Sequence, residues 1–364
     1  MNILVVSNMY PSDKDKLYGT FVRNFVEGLS ELDFDGSLSL VVIRGKRRSK
    51  LAKIAAYVKF YSDLTSRLLF RRYDLVYIHT ITFPILPVLF ASIFRRLPLV
   101  FNVHGDDVLP ATRLKKMLKR LAAGILPEAR MVVAPSDYFK DVVLREFPEL
   151  SGDRLFVSPS GGVNDRFFVK KKSGFSCTRL VRLGYVSRID EGKGWDTFLR
   201  AVSILTKRGV ECSGVMAGRG AQTAALHEMI DRLGIGDRVT YLGGVEQHAL
   251  PDLYSSFDLL VFPTGREAES LGLVGIEAMA AGTPVIAGNV GGPASYIAEG
   301  ENGYLFSPGD SDELVERIES YIRLTPSEKS AMSDAAKATA SGYRSGIVHL
   351  QMYEKLKSLI PPSE

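Results

Sequence analysis

The sequence predicts an α/β protein built from two doubly wound domains, each a parallel sheet with helices on both faces. Short apolar runs alternate with helical segments along the chain, which is typical of parallel strands buried on both sides. A polar stretch at residues 170–174 interrupts this alternation, which then restarts. The length of 364 residues is sufficient for two full cores. We therefore predict domains at residues 1–172 and 173–340, facing each other across a cleft.

The first domain is predicted from six short apolar runs. The first run has no basic start, so we interpret it as a strand and not as a secretion signal. The longest apolar stretch, residues 81–94, contains two prolines and is too short to span a bilayer, so we predict a buried helix there. Helices are also predicted at residues 21–32, 51–70 and 137–146, the last with Ser136 as N-cap. The strands are predicted at residues 3–7, 38–43, 75–78, 99–103, 131–134 and 155–157.

The second domain repeats the same alternation and ends in helices. Its strands are predicted at residues 180–186, 214–217, 239–242, 259–262 and 284–287. The tail predicts helices at residues 310–324, 326–340 and 347–359. Ligands of open α/β sheets bind beyond the carboxyl ends of the strands. The loops that follow these strands are therefore the places where functional residues are expected.

Cysteine usage and charge limit the setting of the protein. Two cysteines, Cys177 and Cys212, cannot build a disulfide framework, so we expect a reduced, cytoplasmic compartment. Residues 1–172 contain 28 Lys+Arg and 17 Asp+Glu, a net charge of +11, whereas the remainder carries −6. This asymmetry indicates that the first half meets an anionic partner.

The most informative stretch, residues 266–292, reads as a loop, a short helix and a strand after the strand at 259–262. The loop places the backbone N–H groups of residues 271–273 at a helix N-terminus, which favours an anion such as phosphate. Glu269 lies at the mouth of this loop and Glu277 eight positions further on. Because carboxylates accept hydrogen bonds from hydroxyl groups, the stretch predicts a ligand with both phosphates and hydroxyls, such as a nucleotide sugar.

Two cations follow the first strand of the second domain. Arg188 and Lys193 lie in the loop S-R-I-D-E-G-K-G, at the predicted carboxyl edge, where they can neutralise a diphosphate and stabilise its charge as it leaves. Solvated surface charges are the plain alternative. Gly218 follows the next strand and permits close backbone approach to a ligand, although a tight turn explains it almost as well. Val245 follows the strand after that, where a backbone contact to a nucleobase is expected.

The first domain offers its own polar residues at strand ends. Gly19 and Thr20 follow the first strand, His79 ends the third, and His104 and Asp106 follow the fourth. An imidazole at such an edge can bind a sugar hydroxyl or a developing charge, although a lone histidine is more often structural. No Cys/His cluster has metal-ligand spacing, so we expect no metal. No arrangement of a nucleophilic hydrolase is present either.

Together these segments resemble retaining glycosyltransferases of the GT-B fold, glycosyltransferase family 4. The resemblance covers nearly the whole chain: Y-G-T-F-V, V-H-G-D-D, S-P-S-G-G-V-N, S-R-I-D-E-G-K-G, M-A-G-R-G and E-S-L-G-L-V-G-I-E-A-M-A-A-G-T-P-V-I-A. The two glutamates with seven residues between them, followed by A-x-G-x-P-V-I, are highly specific in combination. The resemblance implies a transferase that retains anomeric configuration, needs no metal or other cofactor, and uses a nucleoside diphosphate sugar as donor.

The same resemblance assigns roles by position. Arg188 and Lys193 match the pair that binds the diphosphate, Glu269 the residue near the sugar hydroxyls, and Glu277 the residue near the ribose. His104 matches the first-domain histidine that approaches the donor sugar. The residues at 341–364 are expected to form a helix that returns to the first domain. Further donor contacts are expected at Gly218, Val245, Leu271, Gly272 and Leu273, and acceptor contacts at Gly19, Thr20, His79 and Asp106.

We therefore predict a cytoplasmic hexosyltransferase that acts on a hydroxyl acceptor. The favoured acceptor is a lipid-linked saccharide of envelope or capsule assembly. Three alternatives stay open: transfer to a soluble acceptor, a nucleotide-sugar epimerase of the same fold, and a non-catalytic two-lobed sugar-binding protein. No nucleic-acid partner is expected.

A basic amphipathic segment at residues 112–126 bears on the acceptor. At helical spacing, its apolar residues form one face, and basic residues surround it. Such a helix can lie in the interface of an anionic membrane, or its apolar face can pack in the core. The apolar positions are Leu114, Met117, Leu118, Leu121 and Ile125; the basic ones are Arg113, Lys115, Lys116, Lys119 and Arg120, with a second cluster at Lys46, Arg47, Arg48, Lys50 and Lys53.

Overall fold

The structure is a computed structural model that describes residues 1–15, 18–32, 36–47, 49–170 and 180–361. It divides into two compact units: unit 1 is Met1–Gly162 with Ser345–Glu364, and unit 2 is Val163–Arg344. These divisions fall after residues 162 and 344, whereas we placed the domain boundaries after residues 172 and 340. Residues 171–174 of the predicted linker, and also Cys177 and Arg48, lie outside the described residues.

Unit 1 contains a six-stranded parallel sheet in the order β2-β1-β3-β4-β5-β6. All six predicted strands are present, with ends shifted by a few residues at most. In register, Ile3 of the first strand pairs with Leu38 of the second and Leu75 of the third. The strands are β1 (Asn2–Tyr10), β2 (Ser37–Arg44), β3 (Leu75–His79), β4 (Leu99–Asn102), β5 (Met131–Ala134) and β6 (Leu155–Val157).

Helices cover both faces of this sheet, so its central strands are apolar at consecutive positions. Leu4 and Val6 belong to the core on one face, which α2, α3, α5 and α6 share; Ile3 and Val5 belong to the opposite core, under α1 and α13. The helices of unit 1 are α1 (Thr20–Glu31), α2 (Lys50–Phe70), α3 (Ile85–Ser92), α4 (Gly105–Val108), α5 (Arg113–Ala123), α6 (Asp137–Glu146) and α13 (Ser345–Ser358).

The prediction of one buried helix across residues 81–94 is wrong in two respects. The helix in this stretch, α3, begins only after Pro84. Four large apolar residues of the stretch are exposed, two in α3 and two directly after it, because a helix that lies on a sheet buries one side and turns the other outward. The exposed residues are Leu86, Phe90, Ile93 and Phe94.

Unit 2 contains a second six-stranded parallel sheet, in the order β12-β11-β10-β7-β8-β9. The five predicted strands are present, and the edge strand β12 (Gly303–Phe306) was not predicted. The others are β7 (Val181–Val186), β8 (Cys212–Ala217), β9 (Val239–Tyr241), β10 (Leu259–Phe262) and β11 (Val285–Gly288). The helices are α7 (Trp195–Lys207), α8 (Thr223–Leu233), α9 (Leu250–Ser255), α10 (Leu273–Ala280), α11 (Ser311–Arg323) and α12 (Pro326–Ser341).

The last helix belongs to unit 1 although it follows unit 2 in the chain. Its residues Met352 and Leu356 are buried in the same core as Phe25 and Leu29 of α1. At Gly28, a Cβ would overlap the imidazole ring of His349, so glycine is required for α1 and α13 to pack this closely. Within the described residues, none of the helices combines the length and the apolar character needed to cross a membrane.

Candidate functional site

The predicted cations and Glu269 of unit 2 occupy neighbouring loops at the carboxyl edge of its sheet. Arg188 and Lys193 lie between β7 and α7, and Glu269 lies between β10 and α10. Because β7 and β10 are adjacent strands, their following loops meet. The ammonium group of Lys193 donates a hydrogen bond to Oε2 of Glu269, and both side chains are largely buried. The structure therefore brings together two of the residues predicted to form the site.

Gly194 allows the loops that carry Lys193 and Glu269 to approach each other. Gly194 has φ of +70°, a left-handed conformation, and serves as the N-cap of α7. A Cβ at this position would overlap the carbonyl oxygen of Pro263, at the end of β10. In addition, the N–H of Gly265 donates to the carbonyl of Gly192 at 3.0 Å. The backbone thus fixes the two loops against each other and positions Lys193 beside Glu269.

Arg188 lies in the same loop and is more exposed. Its Nη1 atom is 3.0 Å from Oδ2 of Asp190, and 61% of its side chain is accessible. The other carboxylate oxygen of Asp190 accepts a hydrogen bond of 2.8 Å from the N–H of Ala221, in the loop after β8. Asp190 therefore holds the guanidinium group and braces two loops. We did not predict this role, although the carboxylate stands between the two cations in the loop sequence.

Gly218 and Val245 lie at the same edge, with contacts inside unit 2. Gly218 has φ of +143°, and a Cβ there would overlap the carbonyl oxygen of Ser187. Its own carbonyl accepts a hydrogen bond of 2.7 Å from the hydroxyl of Tyr241. Val245 packs partly buried against the core of unit 2. The close approach that glycine permits here joins two loops of the protein.

Helix α10 starts four residues after Glu269, at Leu273. Gly272, at φ +76°, is its N-cap, and Leu271 before it is buried. Leu273 is the first residue of the helix. The first N–H groups of a helix have no partner within it, so this terminus presents donors beside the Lys193–Glu269 pair. The carbonyl of Glu269 accepts a hydrogen bond of 2.6 Å from Gly292, which holds the loop in place.

Glu277 lies one turn further along α10, on its inner side. Its Oε2 atom accepts a hydrogen bond of 3.0 Å from the hydroxyl of Tyr254 on α9. Burial raises the pKa of this carboxyl to about 7, and the hydrogen bond from Tyr254 opposes that rise. At neutral pH, Glu277 is therefore close to its point of half ionisation, which is unusual for a helix glutamate.

In unit 1, His104 is the N-cap of the short helix α4. Its side chain accepts a hydrogen bond from the backbone N–H of Asp107. Nε2 has no partner among the described residues, so the ring accepts through Nδ1 and carries its proton on Nε2. Burial lowers the pKa of this imidazole to about 4, which keeps it neutral at pH 7. His104 thus presents a neutral N–H donor.

Asp107 holds His104 in place, and we did not predict it. Its carboxylate accepts hydrogen bonds from the N–H of His104 at 2.8 Å and from that of Ile81 at 2.9 Å. Burial raises its pKa to about 7. We predicted a role for its neighbour Asp106, which is exposed. The sequence did contain a signal for Asp107, since a side-chain acceptor followed three residues later by a carboxylate is the spacing of a capping box.

His79 and Gly19 complete the predicted residues of unit 1. His79 is buried, and neither ring nitrogen has a partner within the described part of the chain. Its ring lies parallel to that of His104, with 5.9 Å between centroids. Gly19 has φ of +75° and caps α1, where Thr20 begins; a Cβ on Gly19 would come within 2.6 Å of the carbonyl carbon of Met9. His79 and His104 are therefore adjacent in unit 1.

The described residues contain no group of three or more His, Cys, Asp or Glu side chains that could hold a metal ion.

Two known protein families match separate parts of this chain. Residues 169–339 match the family "Glycosyl transferases group 1", and residues 20–161 match "Glycosyltransferase Family 4". The alpha-D-kanosaminyltransferase of Streptomyces kanamyceticus is 31% identical over 68% of this chain and 67% of its own length. A D-inositol 3-phosphate glycosyltransferase of Catenulispora acidiphila is 29% identical over 72% of this chain and 67% of its own.

The curated relatives are matched over 33% to 67% of their own length. Among solved structures, the Anabaena protein HepE in complex with UDP superimposes with a TM-score of 0.76 at 22% identity, covering 98% of this chain and 100% of that one. This likeness concerns the fold. The two family matches together with the kanosaminyltransferase relationship show that the chain belongs to the glycosyltransferases of group 1 and family 4, which have the GT-B fold.

Proposed function

We propose that this protein is a retaining, metal-independent glycosyltransferase that moves a hexose-type sugar from a nucleoside diphosphate to a hydroxyl acceptor. The observation that carries this proposal is the Lys193–Glu269 pair at the N-terminus of α10, with Arg188 in the adjoining loop. Cations and helix N–H groups suit a diphosphate, and a carboxylate suits sugar hydroxyls. The structural neighbour HepE, which binds UDP, supports a nucleotide donor.

In the proposed reaction, the bond between the anomeric carbon and the diphosphate oxygen breaks, and a bond to the acceptor oxygen forms on the same face of the sugar. The acceptor proton goes to an oxygen of the leaving phosphate. Negative charge therefore grows on the diphosphate, where Arg188 and Lys193 would stabilise it. These two cations supply the stabilisation that a metal ion would otherwise give.

The remaining side chains would bind and orient the donor. Glu269 would accept hydrogen bonds from sugar hydroxyls and Glu277 from those of the ribose, because both present carboxylate oxygens. The Nε2–H group of His104 would donate to a sugar hydroxyl, and a neutral imidazole suits this role since it adds no charge. Asp107 would act as a positioning residue by holding the backbone of His104.

For the acceptor, we propose a lipid-linked saccharide of envelope or capsule assembly, handled at the cytoplasmic face of a membrane. The excess of basic residues in the first half of the chain supports an anionic partner. A soluble phosphorylated acceptor is the second candidate, because the Catenulispora relative is named for D-inositol 3-phosphate.

The donor site is tested by calorimetry after a panel of nucleotide sugars has been ranked by thermal shift, since a bound ligand stabilises the folded state. We expect Arg188→Ala to weaken binding of the best nucleotide sugar by about 10- to 150-fold, the loss of a hydrogen-bonded charge. Arg200→Ala is the matched control, because Arg200 is a similarly exposed arginine of unit 2, paired with Asp196 at 3.3 Å. Equal affinity of the two variants would contradict the proposed site.

A further inference from the structure

The large apolar side chains that are exposed in this protein are concentrated on one part of unit 1. Of fifteen such residues within the described part of the chain, eleven lie on α2, α3 or α5 or directly after α3. An exposed apolar surface rimmed by polar residues is typical of a site that binds a protein or a membrane. The eleven are Leu51, Ile54, Val58, Phe70, Leu86, Phe90, Ile93, Phe94, Leu114, Met117 and Leu121.

These three helices form one layer. α2 packs against α3, and α3 packs against α5. All three contribute inward-facing residues to the same core of unit 1, such as Leu64 of α2, Val88 of α3 and Leu118 of α5. Because those inward sides are buried, the exposed apolar residues lie on the outward side of the layer. We call this outward side of α2, α3 and α5, including Ile93 and Phe94, the outer face.

Helix α5 shows how an amphipathic helix contributes to two surfaces. We predicted a single apolar face for it, either against a membrane or in the core. The structure divides that face: Leu118 is 2% exposed and Ile125, which follows the helix, is 4% exposed, whereas Leu114 is 54% and Met117 51% exposed. Part of the apolar residues therefore serves the core, and the rest is available to a partner.

Basic residues surround the outer face. The segments 49–70, 84–96 and 112–124 contain eleven lysines and arginines and a single acidic residue, Asp63. Asp63 is paired with Arg67 of its own helix at 2.9 Å, and the largely buried Lys119 is paired with Glu146 of α6. The basic residues are Lys50, Lys53, Lys59, Arg67, Arg95, Arg96, Arg113, Lys115, Lys116, Lys119 and Arg120.

A partner of this face must be both apolar and negatively charged. A second copy of the chain, related by a twofold axis, would place this basic face against itself, and like charges repel. A purely acidic polymer would leave the exposed rings of Phe90 and Phe94 in water. A bilayer with anionic lipids satisfies both requirements, because its phosphates attract lysine and arginine while its acyl region accepts apolar side chains.

We propose that the outer face binds the surface of an anionic membrane, with Ile93 and Phe94 inserted below the headgroups and the basic residues at the level of the phosphates. The surface thus spans three helices, and α5 is only one part of it. The functional role of this contact rests on the proposed lipid-linked acceptor, whereas membrane binding itself does not. The membrane proposal and the acceptor proposal can therefore fail separately.

The test is sedimentation with vesicles, without nucleotide or acceptor. Vesicles of phosphatidylcholine with about one-third phosphatidylglycerol are compared with pure phosphatidylcholine at low salt. We expect binding to the anionic vesicles only. Lys116→Gln/Arg120→Gln should lower the partition coefficient by about 30-fold, since each basic residue at an anionic surface contributes about fivefold. Ile93→Ser/Phe94→Ser should lower the partition coefficient at least tenfold, and this reduction should also be seen at high salt.

Matched controls lie in unit 2. Lys207→Gln/Arg232→Gln removes two exposed basic residues, and Leu180→Ser/Leu242→Ser removes two exposed apolar ones. All the substituted residues are exposed, so melting temperatures should stay unchanged. The proposal is overturned if anionic vesicles do not bind the protein, if the outer-face variants bind like the controls, or if Ile93→Ser/Phe94→Ser instead abolishes self-association in analytical ultracentrifugation. Normal transfer to a soluble acceptor with intact vesicle binding would overturn the acceptor proposal alone.

Discussion

At the scale of single residues, Glu277 is, with Asp107, one of two carboxyl groups in the described part of the chain whose charge is sensitive to pH near neutrality. Its pKa of about 7 means that ionised and protonated forms coexist at pH 7. Only the ionised form offers two acceptor oxygens to the hydroxyls of a ribose. If Glu277 contacts the ribose as proposed, nucleotide binding and proton release are linked at this residue.

We expect the affinity for a nucleotide sugar to rise by up to about tenfold between pH 6 and pH 8, as Glu277 loses its proton. Glu277→Gln should reduce this dependence, while any contribution from titration of Asp107 or of the ligand itself would remain in both proteins. Calorimetry at three pH values measures the effect. Parallel pH profiles for the two proteins would show that Glu277 does not contact the ligand.

The same shift has a consequence for stability with the opposite sign. The folded pKa is raised above the usual value of 4.5, so the folded state holds this proton more tightly than the unfolded state. The contribution is fully present below pH 4.5 and is lost as pH rises through about 7. Glu277→Gln should not show this loss.

Individual residues also show where sequence reasoning ends. The positions of Arg188, Lys193 and Glu269 at strand ends followed from the pattern alone, because parallel strands end at one edge. The choice between Asp106 and Asp107 did not, since it depends on which of two adjacent carboxylates turns inward on α4. Likewise, nothing in the spacing of α5 distinguished the buried Leu118 from the exposed Leu114.

At the scale of elements, the loop between β7 and α7 depends on one glycine. Gly194 and Gly209 both have φ near +70°, at +70° and +75°, but a Cβ at Gly209 would have no atom within 4 Å. Gly209→Ala should therefore cost about 1–2 kcal/mol from the left-handed backbone alone. Gly194→Ala must in addition displace Pro263, and with it the pairing of Lys193 with Glu269.

We expect Gly194→Ala to lose more stability in chemical denaturation than Gly209→Ala and to weaken nucleotide binding, which Gly209→Ala should leave intact. The comparison separates backbone strain from steric overlap. If both variants lose a similar free energy of unfolding and bind nucleotide normally, then Pro263 at the end of β10 can move aside without loss of stability.

Elements were predictable where apolar runs alternate with turn-forming residues. Eleven strands followed from such runs, because a strand that lies between helix layers is apolar at successive positions. The edge strand β12 was missed because Gly303 and its neighbours lie in a segment rich in turn formers. The prediction of a buried helix at residues 81–94 was wrong for a different reason. An apolar sequence indicates burial only where another layer covers it, and no element within the described part of the chain covers the outer face of unit 1.

At the scale of the whole molecule, unit 1 is built from two separate parts of the chain. Its last helix, α13, is remote in sequence from α1 and buries Leu356 completely. Leu356→Ala should therefore destabilise unit 1 by about 2–5 kcal/mol, as expected for a leucine truncated in a packed core. Leu350→Ala, on the exposed side of the same helix, should change stability by about 0.5 kcal/mol or less.

Hydrogen exchange measured by mass spectrometry resolves this prediction by region. In Leu356→Ala, protection should fall in β1, β3 and α1, although these elements lie more than two hundred residues away in sequence. A loss confined to α13 itself would contradict the assignment of this helix to the core of unit 1.

The division of unit 1 also sets an order of events during synthesis. A ribosome delivers residues 163–344 as one uninterrupted stretch, so unit 2 can fold as soon as it has emerged. Unit 1 begins earlier but lacks α13, and the apolar residues that α13 covers, among them Phe25 and Leu29, have no cover from that helix until residues 345–358 arrive. Of the two units, the one that begins first is therefore completed last.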